Sequence, residues 1–543
     1  MKYNNSTTAI FLPLIIAAAV VAGITIGRML PPMQGAGLSG ANPKGDKLNS
    51  ILNIIEASYV DTVNRLQLAE TAIPAMLRKL DPHSVYIPAK DLARANEPLR
   101  GSFEGIGISF NMLTDTILVI SALPGGPSEK LGMLPGDRII YVNDSLVAGK
   151  KIPDDRVMGM LKGPKGSIVK VKVLRHGHNE LIPFDITRDK IPIYSVDVNY
   201  MINNKTGYIK VNSFAVTTHE EFVKNLNELI GQGMEKLIID LRGNSGGIME
   251  AAIRIANEFL NRGQLIVYTM GRSQPRTEAR ANGKGVFRKG DLVILIDEFS
   301  ASASEILAGA IQDNDRGTII GRRSFGKGLV QEPVALPDGS GLRLTIARYY
   351  TPTGRSIQKP YSEGYEKYYE DLADRFSHGE LEAPDSISFA DSLKFTTPAG
   401  RTVYGGGGIM PDRFVPVDTT MASPYLTRVR QLIYRFAMKY TETHREELKQ
   451  HVTAGAMEEY LDKQPLIAQF VEFAEQNSVK RDQAGLKTSE KVIHTQLKAY
   501  IARNILDNKG FYPIWENIDT TLKYAADYLA AAPEKLTQQG LAR

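Results

Sequence analysis

The chain reads as a multidomain α/β protein, and three stretches predict that class. Between 190 and 350, apolar strand-like runs alternate with amphipathic helical runs, the pattern of a largely parallel sheet. Between 99 and 188, short alternating strands are separated by "PGGPSEKLGMLPGD" and "KGPKGS", the pattern of a compact strand-rich module. After 421, runs such as "YLTRVRQLIYRFAMKY" and "LIAQFVEFAEQ" place apolar residues at helical spacing, which predicts a helical extension. A length of 543 residues agrees with three or four domains at roughly 150 residues each, and 43% hydrophobic residues suffice for several cores.

In chain order, the first element is an apolar run. Residues 9–27, "AIFLPLIIAAAVVAGITIG", carry no charge and as a helix would span about 28 Å, close to a hydrocarbon core of about 30 Å. A cleaved signal has a shorter apolar core of roughly 7 to 15 residues, so an uncleaved membrane anchor within 1–30 is the expectation. Residues 31–45 are rich in turn formers and read as a linker. A small helical region is expected over 46–95, where Leu48, Ile51, Ile54 and Ile55 share a helical face and His83 in "LDPHSVYIP" reads as a turn residue.

The strand-rich module is expected over 96–188, with strands at "GIGISF", "TILVISAL", "DRIIYVN", "IVKVKVLR" and "LIPFDITR". With "GPSEKLGMLPGDRIIYVN" behind it, "GIGI" at Gly105, Ile106, Gly107 and Ile108 makes this module similar to a PDZ domain. A glycine-containing loop before a strand edge can aim backbone N–H groups at a terminal carboxylate while the edge accepts the peptide as an added strand. The resemblance implies that the amides of Ile106, Gly107 and Ile108 form the carboxylate nest. Lys162 in "LKGPKGS" stands where some PDZ-bearing relatives have an arginine, and no role is assigned to it.

The α/β core is expected over 189–420. Its strands include "GYIKVNSF", "KLIIDLRGNSGG" and "LVILIDE", and the turns "RGNSGG" and "FSASAS" lie at strand ends, where open α/β sheets place their chemistry. The run "GRRSFGKG", Gly321 to Gly328, meets all but the last position of a phosphate-binding loop. Gly328 replaces the hydroxyl that would hold magnesium, and "LVQEPVAL" after it reads as strand where a phosphate loop needs a helix. Nucleotide binding is therefore disfavoured. Ser300, Ser302 and Ser304 stand between a strand and the helix-like "SEILAGAIQDN", where a helix N-terminus favours developing negative charge. No histidine lies between His219 and His378, which leaves Lys327 as the candidate base. Its pKa would have to fall from about 10.4 to about 7 or 8, a cost of about 4 kcal/mol that burial can impose. Phe325, Leu329 and Val330 suit a dry pocket.

Together, "LIIDLRGNSGG", "SASASEI" and "FGKGLVQ" closely resemble the carboxy-terminal processing peptidases, or tail-specific proteases, over about residues 45–420. The resemblance implies a crotonase-like or Clp-protease-like core with a PDZ domain, and a serine endopeptidase that selects proteins by their C-termini. It makes Ser302 the nucleophile, Lys327, 25 positions later, the base, and Gln331 the residue that orients the amine. It implies an oxyanion hole from the backbone N–H of Ala303 and of Gly246 or Gly247. Ser300 and Ser304 read instead as a turn residue and a helix cap, with Glu305 adding charge at the helix start.

Residues 359–395, rich in acids and aromatics, read as an insertion that is either a solvated arm or a contact surface, and 421–543 as a C-terminal helical domain. No cofactor or metal is expected: there is no cysteine, and His444, His451 and His494 are too far apart in sequence to suggest a site. A net charge of +5 from 65 basic and 60 acidic residues, without a basic run interleaved with aromatics, disfavours nucleic acid. The expected partners are protein substrates with apolar C-termini, the membrane through the N-terminal segment, and a second copy or an adaptor protein. The expected location is membrane-anchored, with the catalytic part in the bacterial periplasm or otherwise extracytoplasmic. A peptide-binding scaffold with an idle site is the alternative function.

Overall fold

A computed structural model describes residues 46–113, 115–383, 387 and 390–531. The expected anchor and linker, and the end of the expected helical extension, lie outside the described residues. Among the described residues no helix is long and apolar enough to cross a membrane. The chain divides into two units, up to Met76 and from Leu77 onward. In the first, the helix Lys47–Ser58 buries none of its residues, so the apolar row of Leu48, Ile51 and Ile54 is exposed. Arg65, opening the helix Arg65–Leu77, donates to Asn49 and Glu56 of the preceding helix.

The second unit is organised around a six-stranded sheet in the order Val196–Met201, Thr206–Val211, Lys236–Asp240, Asp291–Ile296, Thr318–Gly321, Arg413–Phe414. Its first pair is antiparallel and the other four are parallel. Parallel strands are covered on both faces, so both alternating sets must be apolar. Accordingly, Leu237 and Ile239 pack with the helices Thr218–Gly231, Met249–Asn257 and Ala303–Asp313. Between them Ile238 points the other way, with Tyr208, Val293, Leu295 and Ile320, onto Leu522, Ala525 and Leu529 of the helix Thr520–Ala530. The last described helix is thus part of the core sheet's packing. The helices between 424 and 515 build a core of their own around Tyr425, Phe436, Phe470, Ile493 and Ile501.

A second, antiparallel sheet carries the segment after Lys327: Leu329–Ala335 turns back through "LPDGS" into Gly341–Tyr350, which also pairs with Val85–Ile87 and Leu265–Met270. The strand-rich module forms the sheet Ile108–Leu113, Thr116–Ala122, Arg138–Val142, Ile168–Leu174, Ile182–Thr187, with Ser145–Leu146 beside the third strand. Along Ile168–Leu174, "IVKVKVL", burial alternates residue by residue, as a half-covered sheet demands.

Candidate active site

Ser302 caps the helix Ala303–Asp313 and has a positive φ of 56° with ψ of −111°. This conformation costs a residue with a Cβ about 1–3 kcal/mol and persists only where its surroundings impose it. The surroundings are the glycine turn and a carboxylate. Ser300 and Ser304, both fully buried, donate their hydroxyls to the carbonyls of Leu241 and Asn244, and the Ala301 amide donates to Asn244 O at 3.0 Å. Those bonds bolt the serine segment to the turn and leave Ser302 alone of the three half-buried. Gly246 is seated so closely that a methyl group on it would lie 2.7 Å from Ser302 Cβ and 3.0 Å from Ala303 N.

Glu305 joins the serine to the lysine. Fully buried, its Oε2 accepts the Ser302 amide at 2.8 Å and the Lys327 amide at 2.9 Å, and its Oε1 accepts the Gly326 amide at 2.7 Å and Ser324 Oγ at 2.5 Å. Burial raises the pKa of this carboxyl, and the Ser324, Lys327, Ser302 and Gly326 donors oppose the rise. From the other side the buried Tyr349 hydroxyl lies 3.1 Å from Ser302 O and 2.6 Å from Lys327 O. Two side chains therefore clamp the backbones of residues 302 and 327 to one place.

Lys327 itself is half-buried, and its Nζ donates to Gln331 Oε1 at 3.0 Å. The far end of that amide, Nε2, donates to the carbonyl of His83, which fixes the oxygen toward the lysine. Burial lowers the lysine pKa from its ordinary 10.5; Arg343 lowers it further, and Glu305 and Asp81 act against the fall. His83 is also half-buried, with Nε2 2.8 Å from Tyr368 Oη, and desolvation together with the nearby Lys327 pushes its pKa down to about 3, so the ring is neutral. Tyr368 comes from the helix Tyr365–Ser377 in the acid- and aromatic-rich stretch, and packs edge-on against His83 and Phe325.

Two backbone donors beside Ser302 and in the adjoining glycine turn have no partner among the described residues. The amides of Ala303 and Gly247 have no acceptor among the described residues, whereas the Gly246 amide already donates to Asn244 Oδ1 at 2.9 Å. The glycines around Lys327 lead into the strand Leu329–Ala335, and the Gly328 amide is taken by Gln358 Oε1, so this loop has no helix to present to a phosphate. Among the described residues no group of three or more His, Cys, Asp or Glu side chains could hold a metal ion.

In the strand-rich module, Ile108–Leu113 is the edge strand, pairing among the described strands only with Thr116–Ala122. Gly105 ends the strand Ser102–Gly105, Gly107 has φ of 73°, and the Ile106 and Gly107 amides have no acceptor among the described residues. Buried Ile106, Val157 and Leu161, with half-buried Ile108, Phe110 and Met160, place an apolar surface between the edge strand and the helix Asp154–Leu161. Lys162, just beyond that helix, pairs with Glu97.

Glu305, Tyr349 and the His83 carbonyl acquire their places through the fold. Only Glu305 carries a local signal: Ser302 and Glu305 have capping-box spacing, and the Ser302 amide indeed donates to the glutamate.

A model of peptidase family S41 matches residues 205–365, a PDZ domain model 105–186, a model of the activating protease CtpB N-terminal domain 33–91, and a family of unknown function 425–507. The carboxy-terminal processing protease CtpB of Bacillus subtilis (strain 168) is 34% identical over 353 residues, covering 63% of this chain and 72% of that protein. A carboxy-terminal-processing protease of Bartonella bacilliformis is 35% identical over 319 residues, covering 58% and 72%. Among solved structures, a photosystem II D1 C-terminal processing protease is 31% identical, with a TM-score of 0.33 over 56% of this chain and 82% of its own. With 34% and 35% identity over 72% of the Bacillus and Bartonella proteins, the chain belongs to the S41 carboxy-terminal processing proteases and is a serine-type peptidase.

Proposed function

We propose that the protein hydrolyses peptide bonds with Ser302 as nucleophile and Lys327 as general base. The observation that carries this reading is the double clamp: Glu305 takes both backbone amides and Tyr349 touches both carbonyls of residues 302 and 327. A neutral Lys327 donates one N–H to Gln331 and keeps its lone pair for the serine hydroxyl. Ser302 Oγ attacks the scissile carbonyl as its proton passes to Nζ, and the oxyanion formed is met by the free amides of Ala303 and Gly247. The ammonium then returns its proton to the leaving amine, giving an acyl-serine that water hydrolyses with the same amine as base. Gly246 N–H, already bonded to Asn244, acts by shape, keeping the turn against Ser302.

An electrophilic phosphonate probe tests the nucleophile directly. Labelling at Ser302, found by peptide mapping, is expected in the wild type and should be lost in Lys327→Ala; a label on Ser300 or Ser304 would overturn the assignment.

Substrates enter by their C-termini. The Ile106 and Gly107 amides are the carboxylate nest, with Ile108 beginning the edge to which the tail adds as a strand, and the half-buried Ile108, Phe110 and Met160, backed by Val157 and Leu161, receive its last side chain. Charged hydrogen bonds contribute about 1.5–3 kcal/mol, so amidating a substrate peptide's C-terminus should raise its KM about 10- to 100-fold with kcat little changed. Equal KM values for the free and amidated peptides would remove C-terminal recognition. Residues 9–27 anchor the chain in a membrane, and catalysis takes place outside the cytoplasm, in a bacterial periplasm or its equivalent. A second copy or an adaptor protein completes the proposed set of partners.

A further inference from the structure

The arginine that opens the glycine turn is held from two directions. Toward the sheet, Arg242 Nε and Nη2 donate to the Asp240 carboxylate at distances down to 2.6 Å. Toward the C-terminal region, Nη1 and Nη2 donate to Asp519 Oδ1 and Oδ2 at 2.8 and 2.6 Å, a two-pronged pair that fixes the guanidinium plane. The side chains are 18% exposed for Arg242, 13% for Asp519 and 2% for Asp240, so the triad is mostly buried. Asp240 and Asp519 both raise the arginine pKa against its burial, and Arg242 and Lys210 hold the Asp240 carboxyl below its usual range although burial opposes them.

Asp519 is well placed to hold its partner. It caps the helix Thr520–Ala530, with Oδ1 accepting the Leu522 amide at 2.9 Å, and that helix is fixed to the core sheet through Leu522, Ala525 and Leu529. Beyond Arg242 the turn runs directly to the site. Asn244 O receives Ala301 N and Ser304 Oγ, Asn244 Oδ1 receives the Gly246 amide, and Gly246 abuts Ser302. Asp240, Arg242 and Asp519 line a cavity of about 490 Å³ together with Tyr208, Tyr512 and Trp515.

We propose that Asp519 is a positioning residue for peptide hydrolysis: by holding the Nη1/Nη2 edge of Arg242 while Asp240 holds the adjacent Nε/Nη2 edge, it sets the glycine turn so that the Gly247 and Ala303 amides converge on the oxyanion. The inference rests on Ser302 being the nucleophile. It gives the C-terminal region a part in the reaction, through a residue 277 positions from its partner.

The test is steady-state hydrolysis of one peptide by the full chain. Asp519→Asn keeps the helix cap, since Asn caps as well as Asp, but removes the charge. An error of about 1 Å in a positioned group can cost about a hundredfold, so kcat should fall about 10- to 100-fold with KM within a factor of two and melting temperature nearly unchanged. Asp519→Glu should recover part of the loss, and Asp519→Ser, another capping residue, serves if Asn does not fold. Leu522→Ala should lower the melting temperature and leave kcat at a permissive temperature near wild type. A wild-type kcat in Asp519→Asn, or a kcat that merely follows melting temperature across these variants, would overturn the inference. Ser302→Ala separates the two levels. Inactive Ser302→Ala beside fully active Asp519→Asn sinks the role of Asp519 alone, whereas active Ser302→Ala sinks the reading beneath it.

Discussion

Ser302→Ala is expected to lower kcat by a factor on the order of 10^5 while leaving KM and melting temperature close to wild type. Removing the nucleophile of a serine peptidase leaves only what binding and the oxyanion donors supply, and losses of about 10^4 to 10^6 follow. Stability is spared because the bonds that hold this segment come from Ser300, Ser304, the Ala301 amide and the Ser302 amide, none of which needs the hydroxyl of residue 302. The positive φ at 302 is as costly for alanine as for serine, so the strain is unchanged as well. Progress curves at high enzyme concentration, with a melting curve of the same sample, check the result. Turnover within tenfold of wild type would exclude Ser302 as the attacking group.

Lys327→Ala should be comparably damaging, and its pH dependence identifies the reason. Only the neutral amine can accept the serine proton, so wild-type kcat/KM rises with pH through the lysine pKa and levels off above it. Burial and Arg343 place that rise below the ordinary 10.5. Arginine cannot substitute, because a guanidinium does not give up its proton in this range; Lys327→Arg should be as inactive as Lys327→Ala despite keeping the charge. The neighbouring Gln331→Ala removes the acceptor at 3.0 Å and frees the amine to turn away from the serine. Its expected effect is smaller, about 10- to 100-fold in kcat. A kcat/KM profile independent of pH in the wild type, or an active Lys327→Arg, would count against the lysine as base.

How far the sequence leads depends on whether a contact is local. The strands are legible because their patterns lie in consecutive residues: alternation in "IVKVKVL" of the strand-rich module, and a continuous apolar run in "KLIID" of the core. Ser302 and Lys327 are legible as motif residues, each within a short recognisable run. What holds them is less so. Tyr349 sits in a strand whose pattern says only that it is half-covered, and its hydroxyl reaches residues 302 and 327, 47 and 22 positions away, only in the folded chain. His83 reads as an ordinary turn residue because it acts through its carbonyl on Gln331, 248 positions away, and a carbonyl leaves no mark on residue type. The acid-rich stretch before residue 395 has the composition of a solvated arm, yet Tyr368 packs beside Phe325 and His83, and composition alone cannot distinguish the two.

The helix Thr520–Ala530, which covers one face of the core sheet, has a consequence for the order in which the molecule comes into being. Domains fold as they leave the ribosome, at about 5–20 residues per second. Yet Tyr208, Ile238 and Leu295 have no lasting cover until a segment translated more than two hundred residues later arrives. A nascent chain thus carries Ser302 and Lys327 long before the helix that covers one face of the core sheet has been made.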